Sequence, residues 1–206
     1  MSSTTVKSRS TKAGQFPGLR CVGRGAASGV QDRSVSVWGG IVGGLAASSL
    51  VAAPLWFGFE AKWGAGRFAA GWWALSENVG RFAAILVASA VIHELLHAIG
   101  WTVAGRKPWR TIRFGFHWFS LSPYAHLTVP MAAGPYRVGV VLPGVVLGLI
   151  PAIVALVTGN GVWLAYGLTM ILAAGADLVV LVLLLRVPGD RLVQDHPRRV
   201  GVVVLG

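Results

Sequence analysis

Long apolar runs almost free of charge place the strongest constraint on how this chain folds. An apolar helix of about 20 residues crosses roughly 30 Å of hydrocarbon, because each residue advances it by about 1.5 Å. The last run is divided by a tight turn with the sequence Thr158-Gly159-Asn160-Gly161. We therefore predict an all-α integral membrane protein with about four transmembrane helices, at about 35–59, 82–104, 138–158 and 162–185.

The distribution of charge supports this membrane reading. The chain carries a net charge of +11, which taken alone suggests a nucleic acid partner, yet only 12% of its residues are charged and 54% are hydrophobic. Three of the 18 basic residues, Lys62, Arg67 and Arg81, surround the first connection. The others precede the first span, surround the second connection or follow the last span. This asymmetry is typical of the positive-inside rule, so we expect cytoplasmic N- and C-termini and no nucleic acid partner.

The remaining segments define the domain organisation. Residues 1–34 are predicted to be a flexible basic cytoplasmic tail, since more than thirty polar residues form too long a leader for a cleaved signal peptide. Residues 35–186 form the membrane-embedded domain, and residues 187–206 a cytoplasmic C-terminal segment. Cys21 is the only cysteine, which excludes an intramolecular disulfide and a thiolate zinc site.

Two local patterns refine this outline. Residues 109–130 alternate aromatic and polar side chains, with Phe114 and Phe116 two apart and a Ser122-Pro123 turn signal, so a short β-hairpin after the second span is expected. Pro143-Gly144 and Pro151 are expected to bend the third span, which either makes room for a substrate or serves packing alone.

The second span contains the sequence His93-Glu94-Leu95-Leu96-His97, an HExxH pattern. On a helix, positions i and i+4 lie about 40° apart, so both imidazoles project from one face and can share one zinc ion. Glu94 is then placed as a general base. The alternative is a helix whose histidines only bond neighbouring helices.

A catalytic zinc site usually takes three protein ligands, so the two histidines need a partner. Asp177 is the best candidate, because it falls at the same depth in span four as the histidines in span two, and an isolated carboxylate there is costly. A protonated or arginine-paired structural aspartate is the alternative. The reserve ligands are His126, Asp195 and His196, and His117 shares the hairpin with His126.

These residues predict a zinc-dependent intramembrane metallopeptidase. Glu94 would take a proton from water and later pass it to the leaving amine. A locally unwound substrate segment would pair with an edge of the hairpin. The alternatives are a non-proteolytic zinc-binding transporter or sensor, and a structural subunit without metal. The substrate is expected to be a membrane protein or peptide, and the oligomeric state stays open.

The chain resembles the family known as putative zincin peptidases, small prokaryotic membrane proteins, over residues 80–201. The resemblance is carried by HELLHAIG at 93–100, the hairpin residues 114–117 and 123–126, the turn at 142–144, the segment 175–177 and Asp195-His196-Pro197. It is also similar to the site-2 protease intramembrane metalloproteases. That comparison implies His93, His97 and Asp177 as zinc ligands and Glu94 as the base. The resemblance to the putative zincin peptidases implies a prokaryotic cell membrane as the location.

Overall fold

The structure, a computed structural model, describes residues 29–117 and 122–206, which are mostly helical. Its helices run up and down between two ends of the molecule. In chain order they are α1 (Val37–Trp63), α2 (Arg67–Ser76), α3 (Val79–Ala104), α4 (Ala133–Pro143), α5 (Ile150–Thr158), α6 (Gly161–Ala173) and α7 (Gly175–Leu184). Because connections alternate between the ends, the strands gather at one end and α2 lies at the other.

Three helical stretches within the described residues are long and apolar enough to cross a membrane, namely α1, α3 and Ala133–Thr158. The bent pair α6 and α7 makes a fourth if it counts as one span. Only 22%, 17% and 39% of their most apolar windows is buried inside the molecule. The exposed remainder is apolar surface of the kind that lipid covers. The described residues therefore include three or four membrane-length apolar helices, which agrees with the predicted multi-helix architecture.

Short polar and glycine residues set the helix ends. The Ser36 hydroxyl accepts from the Gly39 amide at 3.0 Å, and the Asn78 side chain accepts from the Arg81 amide at 2.9 Å. Gly159 ends α5 in the left-handed region at φ +73°, and Asn160 then caps α6. These are the residue types that satisfy free backbone groups at helix termini.

The connection at 60–80 holds a helix that the sequence analysis did not anticipate. Helix α2 packs against the start of α6, where Gly71 meets Gly161 backbone to backbone. Glu60 fixes its entry, since the carboxylate accepts from the amides of Gly66 at 2.7 Å and Phe68 at 2.8 Å. The tryptophans Trp72 and Trp73 of this helix remain partly exposed, as is common at a headgroup interface.

The third and fourth spans both depart from a straight α-helix, and the fourth departs more strongly. A π-helical segment at Gly144–Leu149 joins α4 to α5 just after Pro143, so the third span changes its winding there without breaking. Helices α6 and α7 instead meet at an angle of 51° at Ala174. No proline marks this bend, which explains why the sequence predicted a bend in the third span alone.

Two antiparallel sheets lie at one end of the helices. The predicted hairpin is confirmed as β2 (Ile112–His117) paired with β3 (Ser122–Leu127). The second sheet has the order β1-β6-β5-β4 and was not predicted. Its strands are β1 (Gln31–Val35), β4 (Met131–Ala132), β5 (Leu192–Asp195) and β6 (Val200–Leu205). The predicted tail is therefore corrected at its last residues, because β1 begins at Gln31; residues 1–28 lie outside the described part.

Glycine contacts fix the depth at which the central helices meet. A Cβ at Gly100 of α3 would lie 2.5 Å from the Gly139 Cα of α4, and one at Gly44 of α1 would lie 2.7 Å from the Gly175 carbonyl carbon. Arg137 holds α4 to the end of α7 by donating to the Leu184 carbonyl at 2.5 Å and to the Val187 carbonyl. Helices α3, α4 and α7 are thereby held in one register.

Candidate metal centre

Helix α3 presents three possible ligands from consecutive turns. The rings of His93 and His97 lie 4.9 Å apart between centroids, as expected for side chains four residues apart on one helix. One donor atom from each of His93, Glu94 and His97 lies within 4.8 Å of the others. The HExxH pattern therefore forms one compact polar cluster.

Helix α7 brings Asp177 to the two imidazoles. Its Oδ2 atom lies 3.0 Å from His93 Nε2, and its Oδ1 atom lies 3.4 Å from His97 Nε2. The side chains of His93, His97 and Asp177 are 14%, 8% and 22% exposed, so bulk water has little access to them. The fold thus brings together the side chains of the three predicted ligands, His93, His97 and Asp177. Each carboxylate oxygen of Asp177 faces one Nε2 atom.

The orientation of His97 is set by α4. Its Nδ1 atom lies 2.9 Å from the Gly139 carbonyl oxygen, which leaves Nε2 directed at Asp177. The imidazole stacks on Trp101, with ring centroids 5.5 Å apart, and Trp101 donates through Nε1 to the Tyr136 carbonyl at 3.2 Å. A histidine whose second nitrogen bonds a backbone carbonyl has the usual arrangement of a metal ligand.

Glu94 points to a different neighbour from Asp177. Its Oε2 atom accepts a hydrogen bond from the Ala125 amide on β3 at 2.5 Å. The two carboxylates of the cluster therefore have different contacts. Asp177 faces both imidazoles, whereas Glu94 is hydrogen-bonded to the hairpin.

The reserve ligands named from the sequence lie elsewhere. Asp195 accepts from the Leu127 amide at 2.8 Å and from the Tyr136 hydroxyl, and it lies 3.3 Å from His126 Nδ1. His196 faces Asp32 on β1, with Nε2 and Oδ2 4.0 Å apart. The side chain of His117 lies outside the described residues.

Asp195 is buried beneath the hairpin, and its surroundings alter its acidity. Burial raises the pKa of its carboxyl above the ordinary value of 3.8, because a charged carboxylate loses hydration there. The Tyr136 hydroxyl, the Leu127 amide and His126 act in the opposite direction and offset part of this rise.

Two contacts of the cluster escaped the sequence analysis. The Ala125 amide and the Gly139 carbonyl are backbone groups. Every residue has a backbone carbonyl and every residue except proline has a backbone amide hydrogen, so residue type does not mark these contacts. For Gly139 the sequence did carry a signal, because glycines within apolar helices indicate close helix packing. In the structure Gly139 lies against Gly100. For Ala125 the sequence carries no comparable mark.

An apolar cavity of about 140 Å³ borders Asp177. It lies between α1, α4, the π-helical segment, α6 and α7, and Asp177 is the one charged residue among the described residues that line it. The altered winding at Gly144–Leu149 contributes to its wall, which fits the frequent location of π-helical turns at functional sites.

The donor set suits a zinc ion. Two imidazole nitrogens and a carboxylate are the three-ligand combination that catalytic zinc takes, with a further position left for water or substrate. The carbonyl-bound Nδ1 of His97 selects the tautomer that leaves Nε2 free to bind metal. The residues present therefore fit the metal.

Comparison with known proteins identifies a family for this chain. A family model described as "putative zincin peptidase" matches residues 86–192, just over half of the chain. The matched part contains the HExxH pattern, the hairpin and Asp177. No curated protein and no solved structure matches the chain.

Proposed function

The chain belongs to the putative zincin peptidase family, and from this premise we propose that it is a zinc-dependent peptidase acting on membrane-embedded or membrane-proximal protein segments. The observation that carries the proposal is the position of the Asp177 carboxylate, which lies 3.0 and 3.4 Å from the Nε2 atoms of the two HExxH histidines. These residues, 84 positions apart in the sequence, converge because α3 and α7 both pack against α4.

In this proposal His93, His97 and Asp177 hold the zinc ion. When bound, zinc supplies a Lewis acid that polarises a peptide carbonyl and lowers the pKa of water. The Gly139 carbonyl keeps His97 in place as a ligand, and burial of the three side chains excludes competing water.

Glu94 is the proposed general base. Its Oε2 is held by the Ala125 amide, so Oε1 is left to take the proton of the attacking water and later to deliver it to the leaving amine. The hairpin contact fixes the carboxylate in one orientation, which avoids reorganisation during the reaction.

The substrate is proposed to enter as an unwound segment, because an intact helix in lipid protects its peptide bonds. The edge of β3 that faces α3 has limited capacity to pair with it. The amides of Ala125 and Leu127 are bonded to Glu94 and Asp195, and Pro123 has no amide hydrogen. We therefore propose that this edge offers carbonyl acceptors only, and that the apolar cavity beside Asp177 receives a substrate side chain.

The proposed setting is a prokaryotic cell membrane, with the strand-bearing end of the molecule in the cytoplasm. The apolar faces of α1, α3 and Ala133–Thr158 support membrane insertion. The positions of the basic residues support the orientation, since Lys62, Arg67 and Arg81 are the basic residues at the opposite end among those that the structure describes.

Metal content of the detergent-purified protein tests the ligand set. We expect about one zinc per chain in the wild type, in Glu94→Gln and in the control His196→Ala, whose imidazole faces Asp32. His97→Ala and Asp177→Ala should lose most of it. Equal and negligible zinc in all five proteins, unrestored by added zinc, would refute the metallopeptidase proposal.

Cleavage then separates a peptidase from a zinc-binding transporter or sensor. Wild type and Glu94→Gln are incubated with synthetic single-span peptides in the same micelles, and products are identified by mass spectrometry. Cleavage by the wild type alone supports the base role of Glu94. Zinc retention without cleavage by either protein would favour the non-proteolytic alternative.

A further inference from the structure

A groove at the strand-bearing end of the molecule has no part in the mechanism above. It has a volume of about 860 Å³ and lies between β1, β6 and the segment that follows α7. Three arginines line it, Arg33 on β1 and Arg186 and Arg191 in that segment. No Asp or Glu side chain lies among the described residues of its lining, so the groove concentrates positive charge.

None of these arginines has a carboxylate partner within the described part of the chain. The ion pairs there involve Arg81 and four histidines, and Arg33 donates to Gln31 Oε1 at 3.3 Å. The terminal carboxyl group of Gly206 also borders the groove, yet it forms no ion pair with any of the three. Guanidinium groups bind carboxylates and phosphates, so the groove has the charge of an anion site.

Both walls of the groove have a fixed backbone. The Arg191 amide donates to the Pro188 carbonyl at 3.2 Å, and the Arg191 carbonyl accepts from the Ala133 amide at 2.8 Å. On the other wall, β1 pairs along its whole length with β6. The arginines therefore extend from two hydrogen-bonded walls that hold the groove open between them.

The floor of the groove is apolar. Val187 and Val204 line it and belong to the buried core, while Val30, Pro188 and Leu205 add further apolar surface. A free inorganic anion makes no use of such a floor. The glycerol and acyl portions of a phospholipid would cover it and remove its apolar surface from water.

The groove lies where the helices reach the strand-bearing end. Arg186 is two residues past the end of α7, and Arg33 is four residues before the start of α1. Trp38 in the first turn of α1 is 72% exposed, as is typical of aromatic residues at a headgroup interface. In the proposed membrane setting, the groove is therefore at the level of the lipid headgroups.

The chain segment that precedes the groove does not complement its charge. Residues 1–28 run up to Gly29 at the rim and carry five basic residues and no acidic residue. Like charges repel, which disfavours this segment as the occupant. Its charge instead adds to the attraction of this end for an anionic membrane surface.

We propose that this groove binds the headgroup of an anionic phospholipid, with the three arginines around the phosphate and the apolar floor beneath the glycerol. The inference rests on the proposed membrane setting and is independent of peptidase activity. Zinc content and peptide cleavage therefore test the proposed function separately from the lipid site.

Native mass spectrometry of the detergent-purified full-length protein tests the proposal, with phosphatidylglycerol as the probe and phosphatidylcholine as the neutral comparison. We expect the wild type to bind one phosphatidylglycerol per chain in preference to phosphatidylcholine. An arginine at an anionic membrane surface contributes about fivefold in affinity, so the triple variant Arg33→Gln, Arg186→Gln, Arg191→Gln should lose about 100-fold. The triple variant with lysine at these positions keeps the charge and should retain most of the affinity.

A matched control removes the same charge from the same end of the molecule. Arg110→Gln, Arg113→Gln, Arg198→Gln changes three exposed arginines outside the groove and should lose about threefold or less, from diffuse attraction alone. Thermal unfolding in phosphatidylcholine micelles checks that each variant is folded. If the glutamine variant of the groove does not fold, the exposed single variant Arg186→Gln should show a loss of about fivefold.

A second readout uses stability. Added phosphatidylglycerol should raise the thermal midpoint of the wild type and of the control variant, because a ligand that binds the folded state stabilises it. It should leave the midpoint of the glutamine variant of the groove unchanged.

Three outcomes would overturn the inference. Equal losses of affinity in the two glutamine triple variants would reduce the binding to diffuse attraction. Equal binding of the two lipids by the wild type would remove the need for an anionic headgroup. Displacement of the lipid by an equal concentration of inorganic phosphate, at constant ionic strength, would make the groove a site for soluble phosphate.

Discussion

Glu94, the proposed general base, has a carboxylate that is already bonded to a backbone amide. The 2.5 Å contact to Ala125 ties the reactive group of α3 to the hairpin. Under the proposed function, this single side chain has two separable tasks, one chemical and one structural.

Comparison of two substitutions at Glu94 separates these tasks. Glu94→Gln keeps an oxygen that accepts from Ala125, so we expect unfolding stability near wild type and a loss of cleavage of about 10²- to 10⁴-fold. Glu94→Ala also removes the charged hydrogen bond and should cost about 1.5–3 kcal/mol in unfolding free energy. Thermal unfolding in micelles beside the cleavage assay measures both, and equal stabilities of the two variants would contradict the structural task.

Asp195 makes stability depend on pH in an identifiable direction. Burial raises the pKa of its carboxyl above 3.8, so over a range of pH the folded protein retains a proton that the unfolded chain has released. The free energy of unfolding contributed by this group therefore falls as pH rises from about 4 through the raised pKa.

Asp195→Asn should remove this component. Over this window of pH, we expect the thermal midpoint of the wild type to decline more steeply with rising pH than that of the variant. Tryptophan fluorescence in micelles measures both midpoints. The other carboxylates are common to both proteins and cancel in the difference. Parallel profiles would show that the Asp195 carboxyl keeps an ordinary pKa.

At the scale of elements, the contact between α3 and α4 sets the geometry of the proposed ligands. Gly139 provides both a close approach to Gly100 and the carbonyl that orients His97. A Cβ at Gly139 would enter the indole ring of Trp101. Packing and ligand orientation are consequently coupled at one residue.

Gly139→Ala should therefore disturb stability and metal content together. We expect a loss of about 1–3 kcal/mol from overpacking and a lower zinc content, because α3 must move away from the carbonyl that binds His97. Gly58→Ala on α1 is the matched control, since its Cβ would meet only Leu156 Cδ2 at 4.0 Å. Unfolding midpoints and metal analysis of both variants check this, and full zinc content in Gly139→Ala would contradict the coupling.

The elements that the sequence predicted are those with local signals. Apolar runs marked the spans, aromatic alternation marked the hairpin, and residue counting from the span ends placed Asp177 at the depth of the histidines. The bend at Ala174 and the sheet of β1, β4, β5 and β6 lacked such signals. The bend contains no proline, and Gln31–Val35 pairs with residues about 170 positions later, which no local pattern reveals.

The candidate site divides in the same way. His93, Glu94, His97 and Asp177 are recognisable by residue type and spacing. The groups that orient them, such as the Ala125 amide, are backbone atoms whose direction depends on tertiary pairing. The sequence therefore identified the candidate reactive residues, whereas the backbone groups that orient them could be identified only from the fold.

At the scale of the whole molecule, the two ends differ in charge and in architecture. One end carries the strands and most basic residues, and the other carries α2 and the turn at Gly159-Asn160. In the proposed orientation, which follows the positive-inside rule, the strand-bearing end faces the cytoplasm.

Cysteine labelling in intact cells tests this orientation. In a Cys21→Ser background, Ala65→Cys between α1 and α2 should react with a membrane-impermeant maleimide from outside. Asp190→Cys at the opposite end should react only after permeabilisation, because both positions are exposed but lie at opposite ends. The reverse labelling pattern would invert the proposed topology.

The order of strands in the larger sheet has a consequence for how the protein is made. Strand β1 precedes the first helix, yet its partner β6 is synthesised after every other described element. Strand β5, which carries Asp195, also pairs with β6. The sheet behind Asp195 can therefore close only when β6 emerges, long after the HExxH helix has been synthesised. Biosynthesis itself thus delays completion of the contacts around Asp195 until the rest of the described chain has been translated.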